Sequence, residues 1–254
     1  MSNSFRELII SELSSKLPPE LVKDLISSYD TTLTEFRKGA WAETLWKAGK
    51  FAENVFRVLY FIVYSRVIAE VPQMNDLREK LEELPREKFS ESVRILIPRI
   101  TSSMIYDPRS KRGAVHVKPV DPDYLDSTLA VSAANWVLAE LLQTYHAGDS
   151  SEVRNVIESI ITRKVPFVEK HGNSSFVTVH LGAEDEILML LLDRRTGMDR
   201  VTIGRSMSNV YTPGRITQSL QSLVKKRLIV KVDNLYVMTA PGESRISHVI
   251  SSIR

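Results

Sequence analysis

Apolar residues recur at helical spacing through the first 146 residues of the 254-residue chain. Residues 4–17 and 19–38 predict two amphipathic helices parted by Pro18-Pro19, which stops the first and opens the second. Leu21, Leu25, Leu33 and Phe36 supply the apolar stripe. A third helix is expected from about Trp41 to Val71, and its run from Val55 to Tyr64 is apolar on nearly all sides. A membrane span needs about 20 apolar residues. Arg57 and Arg66 interrupt this shorter run, so it reads as a central bundle helix and no membrane association is expected. Residues 75–84 predict a short charged helix ending near Pro85. Residues 88–105 predict another, turning Val93, Leu96, Ile97, Ile100 and Met104 to a core. Asp107-Pro108 and Asp121-Pro122 both read as a cap followed by a first-turn proline. The second of them opens a helix to about His146, with Leu125, Leu129, Trp136 and Leu142 available for burial and Asp126, Ser132 and Asn135 as polar exceptions.

The pattern changes at Ala147-Gly148-Asp149-Ser150-Ser151, a turn-rich break. Val153, Val156, Ile157, Ile160 and Ile161 then keep helical spacing, and two short apolar runs flanking His171-Gly172-Asn173 suggest a hairpin. Further on, helices are expected over 184–192 and 201–207, and a third opens at Thr212-Pro213 with Ile216, Leu220 and Leu223 inward. The runs 228–232 and 235–239, joined by Asp233-Asn234, form a second hairpin. Three helices followed by a hairpin is the order of a winged helix. Arg215, Gln218, Ser219, Ser222, Lys225 and Lys226 form the polar side of its third helix, where they can meet phosphates and base edges in a major groove. The same surface equally suits a protein contact. The expected class is therefore mainly α: a helical bundle over 1–146, a connector helix and hairpin over 147–182, and a small α+β winged-helix domain over 183–254.

Composition narrows the chemistry. The chain has no cysteine, so disulfides and cysteine-based zinc sites are excluded, which suits a cytoplasmic protein. The histidines at 116, 146, 171, 180 and 248 lack metal-ligand spacing, and no Gly-rich phosphate loop or Gly-x-Ser-x-Gly elbow occurs; neither a metal nor a cofactor is expected. Asp121 and Asp123 lie close together, but Pro122 and Tyr124 favour a capping role. The N-terminus lacks the pattern of a signal peptide. Net charge is +3; from Ala183 onward eleven Lys or Arg stand against seven Asp or Glu, so the basic bias lies in the C-terminal region. That excess is compatible with nucleic-acid binding and with ordinary solubility.

One stretch concentrates chemistry. Tyr106-Asp107-Pro108-Arg109-Ser110-Lys111-Arg112-Gly113-Ala114-Val115-His116 combines a phosphate-binding fork, two further cations and a group that transfers protons near neutral pH. Seven residues return to nearly the same helical face, so Arg109 and His116 can meet one phosphate if the helix is unbroken. Gly113-Ala114-Val115 would equally allow His116 to turn inward as a buried structural residue. Arg109, the polar Ser110 and the later His116 resemble the Arg-x(4–6)-His signature of the HEPN superfamily, small helical bundles many of which are ribonucleases. Gly49-Lys50-Phe51-Ala52-Glu53 and Asn135-Trp136-Val137-Leu138-Ala139-Glu140 resemble segments of HEPN-type proteins of bacterial defence. The resemblance covers residues 1–146. It implies a metal-independent endoribonuclease acting in antiviral defence or as a toxin, with Arg109 and His116 catalytic, Lys111 and Arg112 steering RNA, and Ser110 and Asn135 as auxiliary polar groups. It also implies a site shared across a homodimer, which the bulky apolar helices around Phe56 and Phe61 would form, and allows a protein antitoxin or defence-system partner. Two alternatives stand beside it. Asn135 can be an ordinary satisfied helix residue, and the whole chain can be a DNA-binding winged-helix regulator whose bundle only dimerises.

Overall fold

The structure, a computed structural model, describes residues 3–71, 73–112, 121–145, 156–157, 160, 165–171, 174–194 and 196–253. His116 and its neighbours 113–120 lie outside the described residues, as does most of the expected connector helix. The chain forms two compact units. The first comprises residues 1–36 and 40–162, and the second 37–39 and 163–254. The hairpin expected between two domains thus belongs to the second unit, whereas Val156 and Ile160 of the connector are buried with the core of the first.

In the first unit, α1 (Asn3–Ser14), α2 (Pro19–Arg37) and α3 (Trp41–Tyr64) are followed by the short α4 (Met74–Glu82). Helix α3 stops seven residues before the expected Val71. Ser65 takes a left-handed conformation (φ 52°) and its N–H donates to the Phe61 carbonyl, the usual way a helix closes its last turn. Arg57, the charge inside the apolar run, donates to the Asp24 carboxylate and to the carbonyls of Ile68 and of the Asn54 side chain. Tyr29, Phe36, Phe51 and Phe56 are wholly buried. Phe56 therefore belongs to this chain's own core and offers no surface for a dimer, contrary to the expectation from its bulk.

Helix α5 joins four segments end to end: π-helical Ser92–Leu96, α-helical Ile97–Ile100, π-helical Thr101–Tyr106 and α-helical Asp107–Lys111. Asp107-Pro108 was expected to start a new helix, yet the helix runs straight through it. Each internal proline, Pro98 and Pro108, comes within two residues of a π-helical turn closed by an i→i+5 bond, Ile97 N–H to Ser92 O and Asp107 N–H to Ser102 O. A proline inside an α-helix lacks an N–H and clashes with the carbonyl one turn back; the wider turn relieves that clash. Arg94, buried, donates to the carbonyls of Leu84 and Glu82, and Arg99 forks onto the Glu82 carboxylate at 3.0 and 2.6 Å, so α5 fastens the C-terminal end of α4. The last bundle helix, α6 (Tyr124–Tyr145), opens at Asp123, whose carboxylate accepts from the Asp126 N–H at 2.9 Å; the expected cap, Asp121, lies outside the helix.

The second unit begins with the antiparallel hairpin of β1 (Val168–His171) and β2 (Ser174–Val177). Gly39 takes φ +73°, and a β-carbon there would stand 2.2 Å from the Phe167 ring, so only glycine fits. Then follow α7 (Ala183–Asp193), β3 (Met198–Asp199), α8 (Arg200–Met207), α9 (Pro213–Lys225), β4 (Ile229–Val232), β5 (Leu235–Met238) and α10 (Ala240–Ser252). The strands form a three-stranded antiparallel sheet of order β3-β5-β4. Asp199, Thr212 and Thr239 cap α8, α9 and α10 by accepting from backbone N–H groups three residues on. Neither β3 nor α10 was expected from the sequence. Among the described residues no helix is long and apolar enough to cross a membrane.

Candidate functional site

Arg109 sits on the final α-helical turn of α5, half-buried, with its side chain lying across α3 at Gly49. A β-carbon built on Gly49 would stand 3.0 Å from Arg109 Cγ and 3.1 Å from both Cδ and Nε. Glycine is what lets the arginine stem press onto the helix backbone. The guanidinium carbon lies 5.3 Å from the centre of the Tyr106 ring, and Nη1 donates to the Tyr106 hydroxyl at 3.4 Å. Nε is buried with no hydrogen-bond partner. Arg109 is thus a cation held by shape and by an aromatic face, with no carboxylate bonded to it among the described residues. That arrangement leaves its donor capacity for an anion.

The neighbouring residues divide. Lys111 is exposed and Ser110 half-buried. Arg112 points to α6, where its Nε lies 3.2 Å from the Asp126 carboxylate, so it is an ion-paired residue. Asn135 is buried, and its Oδ1 accepts from the Tyr29 hydroxyl at 2.7 Å across a sequence separation of 106. The bland reading of Asn135, a satisfied helix side chain, is the one this geometry supports. His116 lies outside the described residues.

The polar side of α9 also divides. Arg215, Gln218 and Lys225 are exposed, as expected. Ser219 is buried at 4% exposure, beside Ile216 and Leu220 rather than opposite them. Ser222 and Lys226 turn to Glu184 at the start of α7; Lys226 Nζ lies 2.9 and 2.8 Å from its two carboxylate oxygens. Burial pushes the Glu184 carboxyl up, but bonds from Lys226, Ser222 and Arg245 outweigh it and hold it down to about 2. Glu184 therefore ties α7 to α9 and α10 within this unit, and Asp185 takes a second bond from Arg245. Part of the basic bias of the region is internally neutralised. Gln221, one turn from both Gln218 and Lys225, completes the outward face; its i+3 spacing from Gln218 was the signal that could have found it. Close by, burial pushes the Glu186 carboxyl up to about 7 despite a hydrogen bond from Tyr211.

Among the described residues no group of three or more His, Asp or Glu is placed to hold a metal ion. The chain matches no protein-family model, no curated protein and no solved structure.

Proposed function

We propose that the protein is a metal-independent endoribonuclease of the HEPN type, acting in the cytoplasm in antiviral defence or as a toxin. The observation that carries this reading is the seat of Arg109. Two segments singled out by resemblance, 60 residues apart in sequence, come together there: Arg109 rests on Gly49 with, among the described residues, no carboxylate bonded to its guanidinium. In this reading the ribose 2′-hydroxyl attacks the adjacent phosphorus, the 5′-oxygen leaves, and a 2′,3′-cyclic phosphate remains. Arg109 stabilises the charge on the pentacoordinate phosphorus, and His116 moves the proton to or from the reacting oxygens. A homodimer would bring two such pairs to one cleft.

The test is incubation of wild type, Arg109→Ala and His116→Ala with total RNA in chelator, followed by end analysis. Each substitution is expected to cost at least ~10²-fold in cleavage. Cleavage by both variants at the wild-type rate would refute the assignment.

A second reading concerns the C-terminal unit. Helix, strand, helix, helix and hairpin, with β3 completing the sheet, is the order of a winged helix, and the exposed face of α9 (Gln218, Gln221, Lys225 and Arg215) supports nucleic-acid contact. On its own this would make the chain a DNA-binding regulator with a helical dimerisation domain; joined to the first reading it supplies a second nucleic-acid contact.

A further inference from the structure

Trp46 stands on α3 with 37% of its surface exposed, whereas Tyr29, Phe36, Phe51 and Phe56 of this bundle are wholly buried. Two ammonium groups lie on its ring: Lys47 Nζ at 4.3 Å and Lys50 Nζ at 4.5 Å from the ring centre. Glu43 and Glu53 share the helix, yet among the described residues neither lysine is within ion-pair distance of a carboxylate. Gly49, which carries Arg109, is three residues beyond Trp46 and adjacent to Lys50. One turn of α3, about 5 Å of rise, therefore presents an exposed indole, two lysines with no acidic partner among the described residues and the seat of the Arg109 fork.

We propose that Trp46, Lys47 and Lys50 form a binding site for single-stranded RNA, in which an unpaired base stacks on the Trp46 ring and the lysines take the flanking phosphates beside Arg109. A base presents a flat π-face of the kind an exposed indole accepts, and phosphates draw the ammonium groups off the ring to a stronger anionic partner. Base-paired RNA cannot use the site, because its bases are stacked on one another and its grooves show edges rather than faces. The substrate class is thereby an unstructured strand or loop. This inference rests on the endoribonuclease reading for its substrate, but binding is separable from cleavage.

The experiment uses full-length protein and a fluorescein-labelled, mixed-sequence 20-nucleotide 2′-O-methyl RNA, which lacks the attacking hydroxyl and cannot be cleaved. Anisotropy is measured for wild type, Trp46→Phe, Trp46→Ala and the double variant Lys47→Ala/Lys50→Ala, with circular dichroism to show that each is folded. Trp46→Ala is expected to weaken binding about tenfold, with Trp46→Phe within about threefold of wild type. The lysine variant should flatten the dependence of log affinity on log salt by about 0.7 for each phosphate no longer neutralised. A duplex of the same sequence should show no Trp46 effect. Equal binding by wild type and Trp46→Ala, equal loss with Phe and Ala, or no binding by wild type overturns the proposal. If Trp46→Ala binds normally while Arg109→Ala abolishes cleavage of ordinary RNA, this site fails and the nuclease reading stands. If Trp46→Ala weakens binding but wild type cleaves nothing, the site stands and the nuclease reading fails.

Discussion

The side chain of Arg109 lies across Gly49 so closely that a β-carbon on the glycine would come within 3.0 Å of Arg109 Cγ. The arginine stem is flexible, so Gly49→Ala should move the guanidinium rather than break the bundle. Alanine is also the better helix former by about 1 kcal/mol. Gly49→Ala is therefore expected to keep or raise the melting temperature while reducing RNA cleavage by tenfold or more, since small displacements at a reacting centre are costly. Thermal unfolding and a cleavage assay on the same preparation check it; loss of both together would show a folding role only.

Asn135 and Tyr29 make the opposite case. Their buried hydrogen bond joins α6 to α2. Asn135→Ala removes the oxygen to which the tyrosine hydroxyl donates and should destabilise the protein by about 1 kcal/mol. Tyr29→Phe removes the other half, and the double variant should be less unstable than the two single effects added together. Denaturant midpoints measure this. Strict additivity would mean that the bond contributes nothing.

On α9, Lys225→Ala and Gln218→Ala should weaken any duplex binding, and the lysine change should reduce the salt slope by about one. Ser219→Ala should leave binding unchanged because Ser219 faces inward. Titrations at several salt concentrations decide it; a binding defect in Ser219→Ala with the fold intact would contradict the assignment of faces.

Glu186 predicts a pH dependence. Its carboxyl is raised from 4.5 to about 7, chiefly by burial. The folded state thus holds a proton that the unfolded state has released between these values, so stability is greatest below about 4.5 and falls as pH rises through about 7. The loss is at most about 3 kcal/mol. Glu186→Gln cannot ionise and should show a flatter profile over that window. Urea midpoints from pH 4.5 to 8 provide the check, and parallel curves for the two proteins would remove Glu186 as the cause.

The local elements were legible because their causes are local. The helical period set α2, α6 and α9, Thr212 announced α9 by its capping chemistry, and Asp233, with φ 51°, makes the tight turn expected between β4 and β5. Of the candidate site, the sequence alone could nominate Arg109, from its residue type and its neighbours. It misplaced a helix start at Asp107-Pro108 because a proline ordinarily begins or ends a helix, and the π-helical turn that admits one depends on the helix as a whole. Tertiary structure decided the rest: that Phe56 is core, that Arg112 is paired with Asp126 and Lys226 with Glu184, and that Arg109 lies on a glycine 60 residues away. Such pairings are set by which helix faces meet when distant segments bury their apolar stripes together, and no short window of sequence contains both partners.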